Sequence, residues 1–225
     1  LLRSVSHDIR TPLTSIVGST STVLENPGLP RAEQEALLED VRSEAQWLIR
    51  AVENLLSITR MGDGQARITK NVEAAEEILG EAVRKFRRRY PEIPVTVEPP
   101  QELLLVPMDP ILIEQVLANL MENAAVHGGN GVHIRVSARP DGAFARFTVA
   151  DDGQGIPPAA LPTLFDGTLK HSESAKGDGK RDMGLGLSVC MAIVRAHGGV
   201  MEGKNLETGA EFSFRLPLLK EEAGR

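Results

Sequence analysis

Seven residues of this 225-residue chain, Leu38, Val41, Ala45, Leu48, Val52, Leu55 and Thr59, recur at alternating spacings of three and four. Residues so spaced stack on one side of a 3.6-residue turn, so they draw an apolar seam along a helix. The seam predicts a helix over 31–61, roughly 45 Å long at about 1.5 Å per residue. Ile49 and Leu56 flank it and widen the face beyond what a two-stranded coil buries, which points to a bundle. Upstream, Leu2, Val5, Ile9, Leu13, Ile16, Thr20 and Val23 give residues 1–25 a matching seam. Asn26-Pro27-Gly28-Leu29-Pro30 breaks the two helices apart. Two helices cannot bury both apolar faces alone. The hairpin is therefore expected to pair with a second copy as a dimeric four-helix bundle.

Beyond Met61-Gly62-Asp63-Gly64-Gln65 the pattern changes to mixed α and β. This sets a boundary between a helical domain, 1–64, and a second domain, 65–225. Helices are predicted at about 73–89, 110–126 and 185–197, and strands near 93–98, 103–106, 132–139, 143–151, 199–204 and 210–217. In the 132–139 strand, apolar Val132, Ile134, Val136 and Ala138 alternate with His133, Arg135, Ser137 and Arg139. Antiparallel strands with three helices imply a two-layer α/β sandwich, so the whole chain reads as α+β. Asp166 to Met183, rich in Gly, Lys, Asp and Ser, reads as a mobile loop.

Composition narrows the function. A net charge of -6 argues against nucleic-acid binding. The run Arg84-Lys85-Phe86-Arg87-Arg88-Arg89 reads instead as a solvated helix end, favoured by the dipole. The single cysteine, Cys190, cannot form an internal disulfide and sits in an apolar helical pattern as a core residue. No stretch is apolar for the roughly 18 to 20 residues that a membrane span needs. The chain starts at Leu1 inside a helical pattern. It is expected to be an excised cytoplasmic portion, with any membrane anchor upstream.

Two constellations carry chemistry. The first is Ser6-His7-Asp8-Ile9-Arg10-Thr11-Pro12 on the first helix. Val5 and Ile9 face the seam, so His7 and Asp8 fall toward solvent. A carboxylate accepting from one ring nitrogen leaves the other free to attack phosphorus. Thr11 lies one turn on and can hold a water, and Pro12 can bend the helix past the nucleophile. The second constellation runs through the α/β part. Asn119 and Asn123 share a helix face, with side-chain oxygens suited to Mg²⁺. Asp151-Asp152-Gly153-Gln154-Gly155-Ile156 ends a strand; a carboxylate there can accept from an adenine amine, and glycines admit the base closely. Gly184-Leu185-Gly186-Leu187-Ser188 opens a helix whose backbone N–H groups attract phosphate. Gly209 precedes the last strand. Each piece alone is commonplace; the order and spacing together are specific.

These segments resemble the H, N, G1, F and G2 boxes of bacterial sensor histidine kinases and cover essentially the whole chain. The resemblance implies a dimeric helical bundle followed by a GHKL (Bergerat) ATP-binding domain. His7 matches the phosphoacceptor, Asp8 its general base and Thr11 a phosphatase position. Asn119 and Asn123 match the Mg²⁺-binding N box, with Asn123 the preferred ligand. Asp151 matches the adenine-binding aspartate, with Gly153, Gly155 and Ile156 in its box. Phe165 matches the F box, and Gly184, Leu185, Gly186 and Leu187 match G2, with the ATP lid between. The cofactors implied are ATP and Mg²⁺; the partners are a second copy and a response regulator receiver domain. Leu105-Val106-Pro107-Met108-Asp109, running into Leu112-Ile113-Glu114-Gln115-Val116-Leu117, is similar to the KdpD potassium-response kinases.

Two departures stand out. Val126 occupies a position that is basic in many members, so one phosphate contact is missing and reduced ATP affinity or turnover is expected unless Lys170, Lys176, Lys180 or Arg181 in the lid supplies it. Leu169-Lys170 lacks an aromatic often seen after the F box. There is no Gly-x-x-x-x-Gly-Lys-[Ser/Thr] loop and no His-Arg-Asp loop, and His127, His133, His171 and His197 lack zinc-type spacing. An ATPase of the same nucleotide fold and an ATP-sensing scaffold without turnover remain as alternatives; the first would release phosphate, the second would bind ATP unlabelled.

Overall fold

The computed structural model describes residues 2–62, 68–164 and 185–219, the side chains of 2–8, 50, 53–62, 163 and 185 excepted. The chain divides into two compact units, one running to Arg60 and one starting at Met61.

The first unit is two helices, α1 (Leu2–Glu25) and α2 (Arg31–Gly62). Their connection is tied by local bonds: Asn26 Nδ2 donates to the Thr22 carbonyl (2.9 Å), and the Leu29 N–H donates to Asn26 (3.0 Å). The Pro30 carbonyl then accepts from Glu33 and Gln34 and starts α2. Pro12 lies inside α1. Thr14, Thr20 and Thr22 turn their hydroxyls back onto carbonyls of Arg10, Ile16 and Gly18, so these polar side chains sit in a helix without an unmet donor. None of Ile9, Leu13, Ile16, Thr20 and Val23 on the α1 seam is buried. On α2, Leu38 is 51% and Val52 47% exposed.

The second unit contains β1 (Asn71–Ala74), α3 (Ala75–Arg89), β2 (Val95–Glu98), β3 (Leu105–Met108), α4 (Pro110–His127), β4 (Ile134–Asp141), β5 (Phe144–Asp151), α5 (Leu185–Ala196), β6 (Val200–Asn205) and β7 (Ala210–Pro217), with a short 3-10 turn at Leu161–Thr163. The main sheet has the order β2-β4-β5-β7-β6. Strands β4, β5, β7 and β6 pair antiparallel. β2 lies parallel to β4, with Val95 opposite Ile134, which corrects the all-antiparallel expectation. A parallel pair needs a long crossover, and β3 with α4 supplies it. A second correction is the two-stranded sheet β1–β3. Residues 71–74 form a strand, so the helix expected from about 73 starts at Ala75, and β3 falls at 105–108 rather than near 103–106. Neither strand is long enough to show an alternation in sequence.

One face of the sheet is covered. Along β5, buried and half-buried residues alternate until Val149, Ala150 and Asp151, which are all buried. Leu79 and Phe86 of α3, Ile113, Leu117 and Leu120 of α4, and Ile193 of α5 are buried along with Ile134, Phe147 and Phe214 of the sheet. This is the two-layer sandwich. Phe147 and Phe214 face each other across the β5–β7 register and stack at 4.9 Å.

His197, fully buried just past α5, pins three segments. Its Nε2 accepts from the Asp109 N–H (3.0 Å) at the start of α4, and its Nδ1–H donates to Ile193 (2.8 Å). Its carbonyl accepts from Lys70 Nζ (2.8 Å), just before β1. The ring is thus held neutral in one tautomer, and burial pushes its pKa below the ordinary histidine value.

Candidate active site

Helix α4 is the rail on which the site is built. Asp109 caps its start, Oδ1 accepting from the Leu112 N–H at 3.2 Å, and Pro110 fits the first turn. Asn119 and Asn123 follow one turn apart, both half-buried. The Asn119 amide nitrogen is buried without a nitrogen or oxygen acceptor. Its neighbour is the Cys190 thiol of α5, whose pKa burial pushes up to about 12 while Asn119 pulls the other way. Cys190 is therefore a core thiol without thiolate character. Asn123 Oδ1 comes within 3.9 Å of where a Cβ on Gly186 would stand. The N-terminal turn of α5 thus meets α4 at its second asparagine.

The strand-end loop meets the same helix. Asp151, 7% exposed, accepts on Oδ1 from the N–H groups of Gly153 (2.9 Å) and Ala210 (3.4 Å). Its Oδ2 takes no hydrogen bond among the described residues. A Cβ on Gly153 would lie 2.4 Å from the Gly128 backbone, and the Gln154 N–H donates to the Gly128 carbonyl at 3.2 Å. Gly128 closes α4, its N–H on Ala124. Two glycine backbones in contact are what let the Asp151 loop sit against the end of α4. On the other side, Gly209 has φ +79°, and a Cβ there would fall 1.9 Å from the Asp151 carbonyl. Asn205 of β6 clamps the loop's far end: Oδ1 accepts from the Ile156 N–H (2.7 Å) and Nδ2 donates to the Ile156 carbonyl (2.8 Å). Asp152 turns away and accepts from the His133 N–H (2.7 Å).

Two groups predicted from sequence therefore converge on the C-terminal half of α4: Asp151, Gly153, Gly155 and Ile156 through Gly128, and Gly186 through Asn123. Leu187 follows Gly186 half-buried in α5, and Leu185 opens that helix. Val126 sits half-buried in the last turn of α4. Phe165, Lys180 and Gly184, with the rest of the expected lid, lie outside the described residues. So do the side chains of His7 and Asp8, whose backbone is part of α1; Thr11 is exposed on the same helix. Sequence reasoning missed Gly128 and Asn205. Gly128 reads as an ordinary helix stop, and nothing near Asn205 links it to a loop 49 residues away.

A one-sided mixed sheet, with asparagines and a glycine-lined aspartate loop meeting on one helix, defines a GHKL-type nucleotide-binding unit. Residues 108–220 match the family of histidine kinase-, DNA gyrase B- and HSP90-like ATPases. Residues 1–64 match the His Kinase A phospho-acceptor domain. The chain belongs to the histidine kinase family. The sensor protein KdpD of Clostridium acetobutylicum is 39% identical over 219 residues, 96% of this chain and 24% of that protein. KdpD of Escherichia coli K12 is 34% identical over 221 residues, again 96% of this chain and 24% of that protein. The chain thus spans about a quarter of these relatives' length. The histidine kinase ThkA, solved in complex with the response regulator protein TrrA, shares the fold with a TM-score of 0.73 at 24% identity, covering 97% of this chain and 61% of that one. Among the described residues, no helix is long and apolar enough to cross a membrane.

Proposed function

We propose that this chain is the kinase core of a two-component sensor, in which ATP bound on α4 phosphorylates His7. The observation that carries the reading is the convergence of the Asp151 loop and the start of α5 on Asn123 and Gly128 of one helix. In this reading residues 1–64 are the dimerisation and histidine phosphotransfer domain and 65–225 the catalytic ATP-binding domain. The similarity to KdpD supports a potassium- or osmotic-response sensor, of which this is the cytoplasmic portion of a membrane-anchored protein.

The residues present fit the nucleotide. Asp151 Oδ2 is an acceptor without a hydrogen bond among the described residues, suited to the adenine amine, and Gly153, Gly155 and Ile156 form the wall beside it. Gly186 leaves space next to Asn123, and the start of α5 at Leu185 and Leu187, with Gly184 before it, is proposed to offer backbone N–H groups to the phosphates. Lys180 and Phe165 are proposed as further nucleotide-binding residues, Lys180 as a cation for the phosphates. Asn123 and Asn119 would hold Mg²⁺; an amide whose nitrogen is committed inward, as in Asn119, has its oxygen left for another partner. The ion supplies charge neutralisation on the phosphates. One ring nitrogen of His7 attacks the γ-phosphorus of ATP. A P–N bond forms as the P–O bond to departing ADP breaks, and Asp8 orients the ring and accepts the proton from its other nitrogen. The phosphoryl group then passes to an aspartate of a response regulator receiver domain, and Thr11 positions water for the reverse, phosphatase, reaction. The uncovered apolar seam on α1 and α2 supports a homodimer.

Incubation with radiolabelled ATP and Mg²⁺ tests this. Acid-labile label is expected on the wild-type chain and absent from His7→Gln, with ATP binding retained. Label that persists on His7→Gln removes His7 from its role, and release of free phosphate without label establishes a plain ATPase.

A further inference from the structure

The arginine-rich end of α3 is more than a solvated terminus. The helix dipole accounts for cations in the last turn. Arg89 is engaged by Glu122 (3.1 Å) and the Tyr90 ring, and Lys85 by Glu114. Arg84, Arg87 and Arg88 are placed differently. Together with Gly80, Val83 and Val97 they line one open groove of about 450 Å³. The groove lies between α3 and β2, and β2 is an edge strand of the five-stranded sheet.

Three features point to an occupant. First, the strand edge is open. Pro94 gives its carbonyl to Ile134 of β4, so by alternation the backbone groups of Val95 and Val97 face outward. Arg87 Nη2 covers the Val95 carbonyl (2.7 Å), which leaves Val97 as the next outward position. Second, Arg88 makes no hydrogen bond or ion pair among the described residues, and the one ion pair of Arg84 among them is with half-buried Glu81. Third, Gly80 sits inside α3 although glycine is a poor helix residue. A Cβ there would meet nothing within 4 Å, so no contact among the described residues requires its absence. A molecule lying in the groove would.

We propose that this groove binds an extended acidic peptide segment of a partner protein, which adds to β2 as a further strand and sets carboxylates against Arg84 and Arg88. Strand addition gives affinity through backbone bonds and specificity through alternate side chains. Here Val83 and Val97 form an apolar floor and the guanidiniums favour bidentate carboxylate contacts. Glu81 beside Arg84, on a chain of net charge -6, disfavours a continuous phosphate backbone or an anionic membrane, whereas a short peptide can space its carboxylates to meet Arg84 and Arg88.

The probe is a fluorescein-labelled peptide alternating valine and glutamate, titrated against the 225-residue chain by anisotropy beside a valine–lysine counterpart. The valine–glutamate peptide is expected to saturate below about 1 mM and to bind about tenfold or more tighter than its counterpart. Arg84→Glu with Arg88→Glu should weaken it by about tenfold or more. Gly80→Leu should weaken it comparably without lowering the unfolding midpoint or altering ATP binding, and the Val97 amide resonance should shift on binding. No saturation by about 1 mM, or wild-type binding in both variants, overturns the proposal. So does retention of phosphatidylserine vesicles or duplex DNA in place of the peptide.

Discussion

At the scale of single residues, the site rests on backbone approaches that only glycine permits. Gly209 combines φ +79° with a Cβ position 1.9 Å from the Asp151 carbonyl. Gly209→Ala is expected to cost at least about 1–2 kcal/mol for the left-handed backbone alone, more with the clash. Because the displaced group is Asp151, ATP affinity should fall by about tenfold or more. Urea unfolding and an ATP titration of the same variant check both. The glycines of the Asp151 loop were visible in sequence because they cluster around an acid. Gly128 was not, since its partner Gly153 is distant along the chain and only folding brings the two backbones together. Asn205 was hidden for the same reason: a side-chain amide that closes a loop from another strand leaves no local spacing to detect.

At the scale of elements, the long amphipathic pieces were legible, the short ones only in part. α2, α4, β4 and β5 each carry enough periods to declare themselves, and their observed bounds lie close to those expected. β1 is four residues, too short for a period; β2, expected near 93–98, is found at Val95–Glu98, but its parallel pairing depends on a partner reached only through a crossover. What holds these elements together is partly polar. His197 joins the start of α4, the end of α5 and the entry segment at Lys70 through three bonds. Its pKa is lowered from 6.5, chiefly by burial, with Lys70 lowering it further and the Ile193 carbonyl and Asp109 opposing. A folded state that binds its proton less readily than the unfolded chain loses stability as pH falls. The contribution is complete above pH 6.5 and declines on acidification toward the depressed folded value. Urea midpoints at pH 7.5 and 5.5 should therefore separate more for wild type than for His197→Gln. Equal separations would show that His197 does not set this dependence.

At the scale of the whole molecule, the helical unit is incomplete as a single chain. Leu13, Val17, Leu38, Ile49 and Val52 are each 47% to 62% exposed, on faces whose spacing calls for burial. A second copy should cover them, so light scattering should give twice the 24.3 kDa chain mass. Leu38→Glu with Val52→Glu should shift the mass to that of one chain while leaving ATP binding unchanged. The parallel β2–β4 pair has a consequence for how the chain is made. As the nascent polypeptide leaves the ribosome, α1 and α2 can coil on local bonds as soon as they emerge. α3, β2 and α4 cannot: the strand that anchors β2 begins at Ile134 and the apolar faces of both helices stay bare until β4 and β5 follow. During synthesis the two long helices therefore emerge ahead of the sheet unit, whose core can close only once β4 and β5 have followed.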